Sequence, residues 1–134
     1  MKSYTDLEQS KKLTEILPLE SADMKILPFT EREYRVVPIN DIAVCGREDE
    51  IPCWSLVALL ELMPLYIRTN EGDYNFSLVR GGAGAYTFSY IHSLKEPWEL
   101  GCNLYLTTHK DSVIDAAFEM VCWLIEQGHI KVNK

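Results

Sequence analysis

The stretch from Asp111 to Ile130, DSVIDAAFEMVCWLIEQGHI, constrains this chain more than any other. On a helix of about 3.6 residues per turn, Asp115, Glu119 and Glu126 share one narrow stripe. Val113, Ile114, Ala116, Ala117, Phe118, Met120, Val121, Trp123, Leu124 and Ile125 fill most of the remaining circumference. A helix that apolar has to be covered on several sides. The pattern predicts the spine of a small globular domain, with the three acids alone left in water. Thr108 and Asp111 have the spacing of an N-terminal cap. Gly128 lies just past the last periodic residue, and Ile130 can supply the apolar contact of a C-terminal cap.

The rest of the chain supplies the cover. Thr5-Asp6-Leu7-Glu8 has capping-box spacing, so a first helix is expected from Asp6 to Leu17, capped by Thr5 and closed by Pro18. Ser21 to Met24 adds a further turn, Met24 to Phe29 reads as extended, and Glu33 to Ile39 is a short strand held to an edge or an end by Pro38. Asn40 to Glu50 reads as a polar loop with Gly46 and the run Arg47-Glu48-Asp49-Glu50. Pro52 is placed to begin a second helix running to Met63. On it Leu56, Leu59, Leu60 and Met63 share one face, with Trp54, Ala58 and Glu61 opposite. Four alternating segments follow: Leu65 to Thr69, Tyr74 to Arg80, Ala85 to Ile91 and Cys102 to Thr107. Glycine-rich turns at Asn70 to Asp73 and Gly81 to Gly84 make the neighbours antiparallel. A longer loop, His92 to Gly101, carries Pro97 and Trp98. The fold class is therefore α+β: a three- to four-stranded antiparallel meander against two main helices, with an N-terminal helix. Residues 1–134 form one such domain, the first thirty as a loosely packed helical arm.

Length and composition fit that reading. A chain of 134 residues is the size of one domain and buries roughly two thirds of its unfolded surface. Thirteen basic and twenty acidic side chains leave a net charge of −7, which works against nucleic-acid phosphate and could attract a basic partner. The polar start lacks a signal-peptide core, and no window approaches the roughly 20 apolar residues of a membrane span. The expected location is the cytoplasm. Cys45, Cys53, Cys102 and Cys122 are expected as reduced thiols, with Cys53 and Cys122 in apolar helical patterns.

Two segments carry a resemblance. Ile51 to Pro64, IPCWSLVALLELMP, and Ile114 to Ile130, IDAAFEMVCWLIEQGHI, resemble paired motifs in small uncharacterised proteins of gut bacteria, often encoded in prophages and other mobile elements. In that group a W-S-x-x-A-L-L-E-L-x-P helix precedes a variable β region, and an A-x-E-M-x-C-W-L helix closes the chain. The polar start, QSKKLTEILPLESADM, is also similar. By motif the likeness covers roughly half of the chain. It implies kinship and transfers no catalytic or binding residue.

Each candidate site has a plainer reading beside it. Asp115, Glu119 and Glu126, with Cys122 close by, could ligate a metal if a second helix joined them, yet no E-x-x-H pattern appears and a solvated stripe accounts for them. Gly81-Gly82-Ala83-Gly84 could cradle an anion, but it lacks the lysine and the following helix of a phosphate loop and reads as a hairpin turn. Cys53 near a helix start could have a lowered thiol pKa, but nothing places His92, His109 or His129 beside it. No C-x-x-C pair points to zinc. The aromatic row Tyr74, Phe76, Tyr86, Phe88, Tyr90 and Tyr105 could stack bases, against which the acidic balance weighs; packing under a helix explains it.

No catalytic, cofactor or metal residue is thus assigned. Trp54, Glu61 and Trp123 are the candidates for a partner surface, with core burial the competing expectation for the two tryptophans. The expected function is that of a non-enzymatic accessory protein of a phage or mobile element, acting by protein contacts and able to form a homodimer. The alternatives are an enzyme or small-ligand binder with a pocket beside the sheet, lined by Arg80, His92 and Trp98, and an acidic decoy for a DNA-binding host protein.

Overall fold

The computed structural model describes residues 2–28, 34–40, 50–96 and 98–130. Cys45, Gly46, the charged run 47–49, Phe29, Glu33, Pro97 and the terminal lysines lie outside the described residues. Helix α1 (Leu7–Ile16) is capped by Asp6, one residue later than Thr5. The Asp6 carboxylate accepts from the Gln9 amide at 2.8 Å, while the Gln9 side chain accepts from the Asp6 amide at 3.0 Å. Thr5 is buried instead, its hydroxyl accepting from the Trp54 amide at 3.1 Å and bonded to Ser10 at 2.8 Å. A single 3-10 turn, Leu19–Ser21, follows Pro18.

Strands β1 (Met24–Pro28), β2 (Tyr34–Pro38) and β3 (Ile51–Cys53) form an antiparallel sheet in the order β2-β1-β3. Its third strand corrects the expected helix start at Pro52. Lys25, which pairs with Pro52, and Ile26, which pairs with Ile51, hold that segment extended, and Tyr4 bridges Ser55. Helix α2 (Leu56–Leu62) starts later, where the Ser55 hydroxyl accepts from the Ala58 amide. The Asp23 carboxylate fixes this cap by accepting from both the amide and the hydroxyl of Ser55.

Strands β4 (Tyr66–Thr69), β5 (Gly72–Arg80), β6 (Ala85–His92) and β7 (Asn103–Lys110) form the meander in consecutive order. Helix α3 (Val113–Glu126) closes the fold. Thr108 belongs to β7, not to the helix start; Asp111 turns the chain at φ 62°, and Ser112 caps α3 by accepting from the Asp115 amide at 3.2 Å. The far end is as the sequence predicts: Gly128 has φ 80°, the His129 amide reaches the Leu124 carbonyl at 2.8 Å, and Ile130 is buried.

One core joins α1, α2, α3 and the four-stranded sheet. Val113, Ile114, Ala116, Ala117, Met120, Val121 and Leu124 of α3 are buried in one cluster with Leu59 of α2, Met63 at its end, and Tyr74, Phe88 and Tyr90 of the sheet. The aromatic row is therefore packing, as its alternation suggested. Leu13 and Leu17 are fully buried, which corrects the expected loose arm. The Lys2 ammonium and the Gln9 amide both donate to the Asp115 carboxylate, at 2.7 and 2.8 Å, and tie the N-terminus to α3. Among the described residues every buried side-chain nitrogen and oxygen has a hydrogen-bond partner. No described helix is long and apolar enough to cross a membrane.

Candidate functional site

Glu119 and Glu126 of the acidic stripe, Cys122 and Trp123 converge on one groove. Its volume is about 340 Å³, and its walls are Tyr105 of β7, Phe118, Cys122 and Trp123 of α3, and Lys12 of α1, with Glu119 and Glu126 at the rim. Register places Tyr105, Thr107 and His109 opposite Tyr90, Phe88 and Tyr86, on the face that meets α3. The intervening Leu106 therefore faces away, and it is exposed. The Tyr105 and Trp123 rings stack almost parallel, 2° apart with centroids 4.4 Å apart, and His129 tilts over Trp123 at 5.8 Å. The Lys12 ammonium lies 5.7 Å from the Phe118 ring centroid, a cation over an aromatic face.

Hydrogen bonds set the charges of the groove. The Glu119 carboxylate accepts from the Thr107 hydroxyl at 2.5 Å and pairs with His109 Nε2 at 2.7 Å. The Thr107 bond, with His109 beside it, holds this carboxyl below its ordinary range. Burial pushes the Cys122 thiol up, and the Tyr105 phenol rises through burial and the nearby Glu119 and Glu126 charges. Asp115 serves a different purpose. Burial alone would raise its carboxyl, but hydrogen bonds from Lys2, Ser112 and Gln9 outweigh burial and hold it down at about 2. Among the described residues no group of three or more His, Cys, Asp or Glu side chains is placed to hold a metal ion.

The three candidates for a partner surface are separated. Trp54 precedes α2, is fully buried, and donates from its indole nitrogen to the Ser21 hydroxyl at 3.0 Å. It is a core residue and cannot touch a partner, because the N-terminal segment covers it. Glu61 is exposed on α2 and does not line the groove. Trp123 is half-buried in the groove wall.

The other proposed constellations are also dispersed. Cys53 sits in a strand, and burial with the Asp23 charge pushes its thiol up to about 12, the reverse of helix-start activation. Arg80 lies 5.4 Å over the Tyr86 ring, Trp98 is exposed, and His92 is buried beneath a turn, so the pocket expected from these three is not formed between them. The His92 Nδ1 accepts from the Leu94 amide at 3.1 Å, which leaves Nε2 to donate to the Glu71 carbonyl at 2.9 Å. A second groove of about 440 Å³ lies beside β1, lined by Leu19, Glu20, Ile39 and Pro52, where buried Lys25 faces Glu50 at 3.4 Å.

One feature is stronger in three dimensions than in the sequence. The loop from Ser93 to Gly101 holds Leu94, Trp98 and Leu100 at 88, 80 and 100% exposure. Backbone bonds close it: His92 to the Cys102 carbonyl at 2.6 Å, Cys102 to Glu99 at 3.2 Å, Glu99 to Glu96 at 2.9 Å and Lys95 to His92 at 3.2 Å. Three large apolar side chains are thus displayed on a hydrogen-bonded support. The sequence marked this loop by its length and by Trp98, but no periodic pattern can reveal that its leucines point outward. No protein-family description, curated protein or solved structure matches this chain.

Proposed function

We propose that this chain is a non-enzymatic accessory protein of a phage or mobile element that acts by protein–protein contact, with the loop between β6 and β7 as its principal contact element. The exposure of Leu94, Trp98 and Leu100 on a hydrogen-bonded loop carries this reading. Large apolar side chains held in water by one short loop offer contact points, and tryptophan is a common anchor of contact sites. The raised thiols of Cys53 and Cys122 speak against either one as an activated nucleophile. The motif resemblance supplies the mobile-element part.

The test replaces Trp98 with a photo-crosslinking phenylalanine analogue in the native cell and compares it with the same substitution at exposed Val57 of α2. A discrete crosslinked protein at position 98 that is absent at position 57 is the expected result. Indistinguishable crosslinking at the two positions, or none at either, refutes the reading.

A further inference from the structure

Strand β7 ends its sheet: it pairs with β6 on one side, and no other described segment pairs with it on the other. Its eight residues, NLYLTTHK, contain no proline and no acid, and its bulge at Leu104 and its lysine, Lys110, lie toward its two ends, leaving Tyr105 to His109 as regular edge. The groove of Tyr105, Phe118 and Trp123 lies beside this edge, on the helix face. We propose that the β7 edge takes up an extended segment of a partner protein as a fifth strand, and that this segment alternates basic with apolar side chains. The proposal rests on the protein-contact reading above and names the chemistry of one partner segment.

The alternation follows from register. An added strand shares the two faces of β7. Every second side chain would lie beside Tyr105 and Thr107, near the carboxylates of Glu119 and Glu126. The others would lie beside Leu106 and Thr108 on the outer face, where Leu106 is half exposed. The first set meets negative charge and aromatic rings. Lys12 rests its ammonium 5.7 Å from the Phe118 ring centroid, a cation on an aromatic face of the same groove. The second set meets an apolar side chain. The net charge of −7 adds long-range attraction for a basic segment. Main-chain bonds supply affinity in such complexes, and the alternate side chains supply selection. A second copy of this chain fits less well: its own β7 would bring Tyr105, Thr107 and His109 to the helix face, with no lysine or arginine among them.

The probe is a capped eight-residue peptide alternating valine and arginine, matched in length to β7 and followed by fluorescence anisotropy with the full chain. A valine–glutamate peptide is the charge control. Two further versions carry N-methyl groups on one or the other alternate set of backbone nitrogens. Strand addition uses only one set, so one methylated peptide should bind as the parent does and the other should lose at least about tenfold in affinity. The double variant E119Q/E126Q should weaken the arginine peptide by about tenfold while leaving thermal unfolding within a few degrees of the parent. Equal binding of both methylated peptides, or of the glutamate control, overturns the proposal. A dimer that the arginine peptide does not dissociate also overturns it, because a second copy then holds the edge. If the peptide fails to bind while position 98 still crosslinks specifically, strand addition falls and the protein-contact reading stands.

Discussion

Replacing Gly72 by alanine tests how the β4–β5 turn and His92 are locked together. Gly72 has φ +132°, a conformation that L side chains rarely adopt. A Cβ built there would sit 2.5 Å from His92 Nε2 and 3.0 Å from Cε1. The imidazole cannot swing aside freely. It donates to the Glu71 carbonyl, accepts from the Leu94 amide, and meets Tyr74 edge-on at 5.1 Å. Moving it would disturb two hydrogen bonds worth about 1 kcal/mol each. The backbone strain adds roughly 1–3 kcal/mol. The expected loss is therefore about 3–5 kcal/mol, a fall in Tm of roughly 10–18 °C for a chain of this size. Urea and thermal unfolding measure it, with Gly82→Ala as control, since a Cβ at Gly82 meets nothing within 4 Å. The control should stay within about 0.5 kcal/mol of the parent. In a His92→Ala background the same Gly72 change should cost only its backbone part, about 1–3 kcal/mol. Equal stabilities for the Gly72 and Gly82 variants would refute the reasoning.

Three further outcomes follow from the same geometry. Because the Asp115 carboxyl is held at about 2 when folded, against an ordinary value of 3.8, its contribution is complete above pH 3.8 and fades as the pH falls from there toward 2. Asp115→Asn should therefore cost about 1 kcal/mol near neutrality, an amount reduced by the partial exposure of the pair, and that cost should vanish across the same window in acid unfolding curves. Alkylation at pH 8 with peptide mapping should modify half-buried Cys122 before buried Cys53 and Cys102, and the order should disappear in denaturant. Trp54→Phe should lose about 2 kcal/mol in chemical denaturation, since it removes the indole bond to Ser21 and leaves a void in a fully buried position.

The elements legible from sequence are those whose signals are local. Helix α3 announces itself through a long apolar periodicity, and Gly128 with Ile130 marks its end. The meander is legible because aromatic alternation and glycine turns repeat at short range. The errors occur where a distant partner decides. Pro52 has the local look of a helix start, but pairing with β1 holds Ile51 to Cys53 extended, and Ser55 takes over as cap. Thr108 fits a cap by spacing, yet its hydroxyl bonds to that of Thr87 across the sheet at 3.0 Å. The groove was half visible: Glu119, Glu126, Cys122 and Trp123 follow from one helical wheel. Tyr105 and Lys12 come from other elements, and no local pattern places them there.

The Lys2–Asp115 ion pair spans 113 residues of sequence. Synthesis runs from the amino end at about 5–20 residues per second, so α1 emerges many seconds before the segment that receives it. Through that interval α1 can pack against β3, its main neighbour, while Gln9 and Lys12 still await Asp115 and Phe118 of α3. Closure of this fold is consequently a late event, timed by the appearance of Asp115, and substitutions that weaken the pair should reduce the yield of folded protein in the cell more than they lower its melting temperature in the tube.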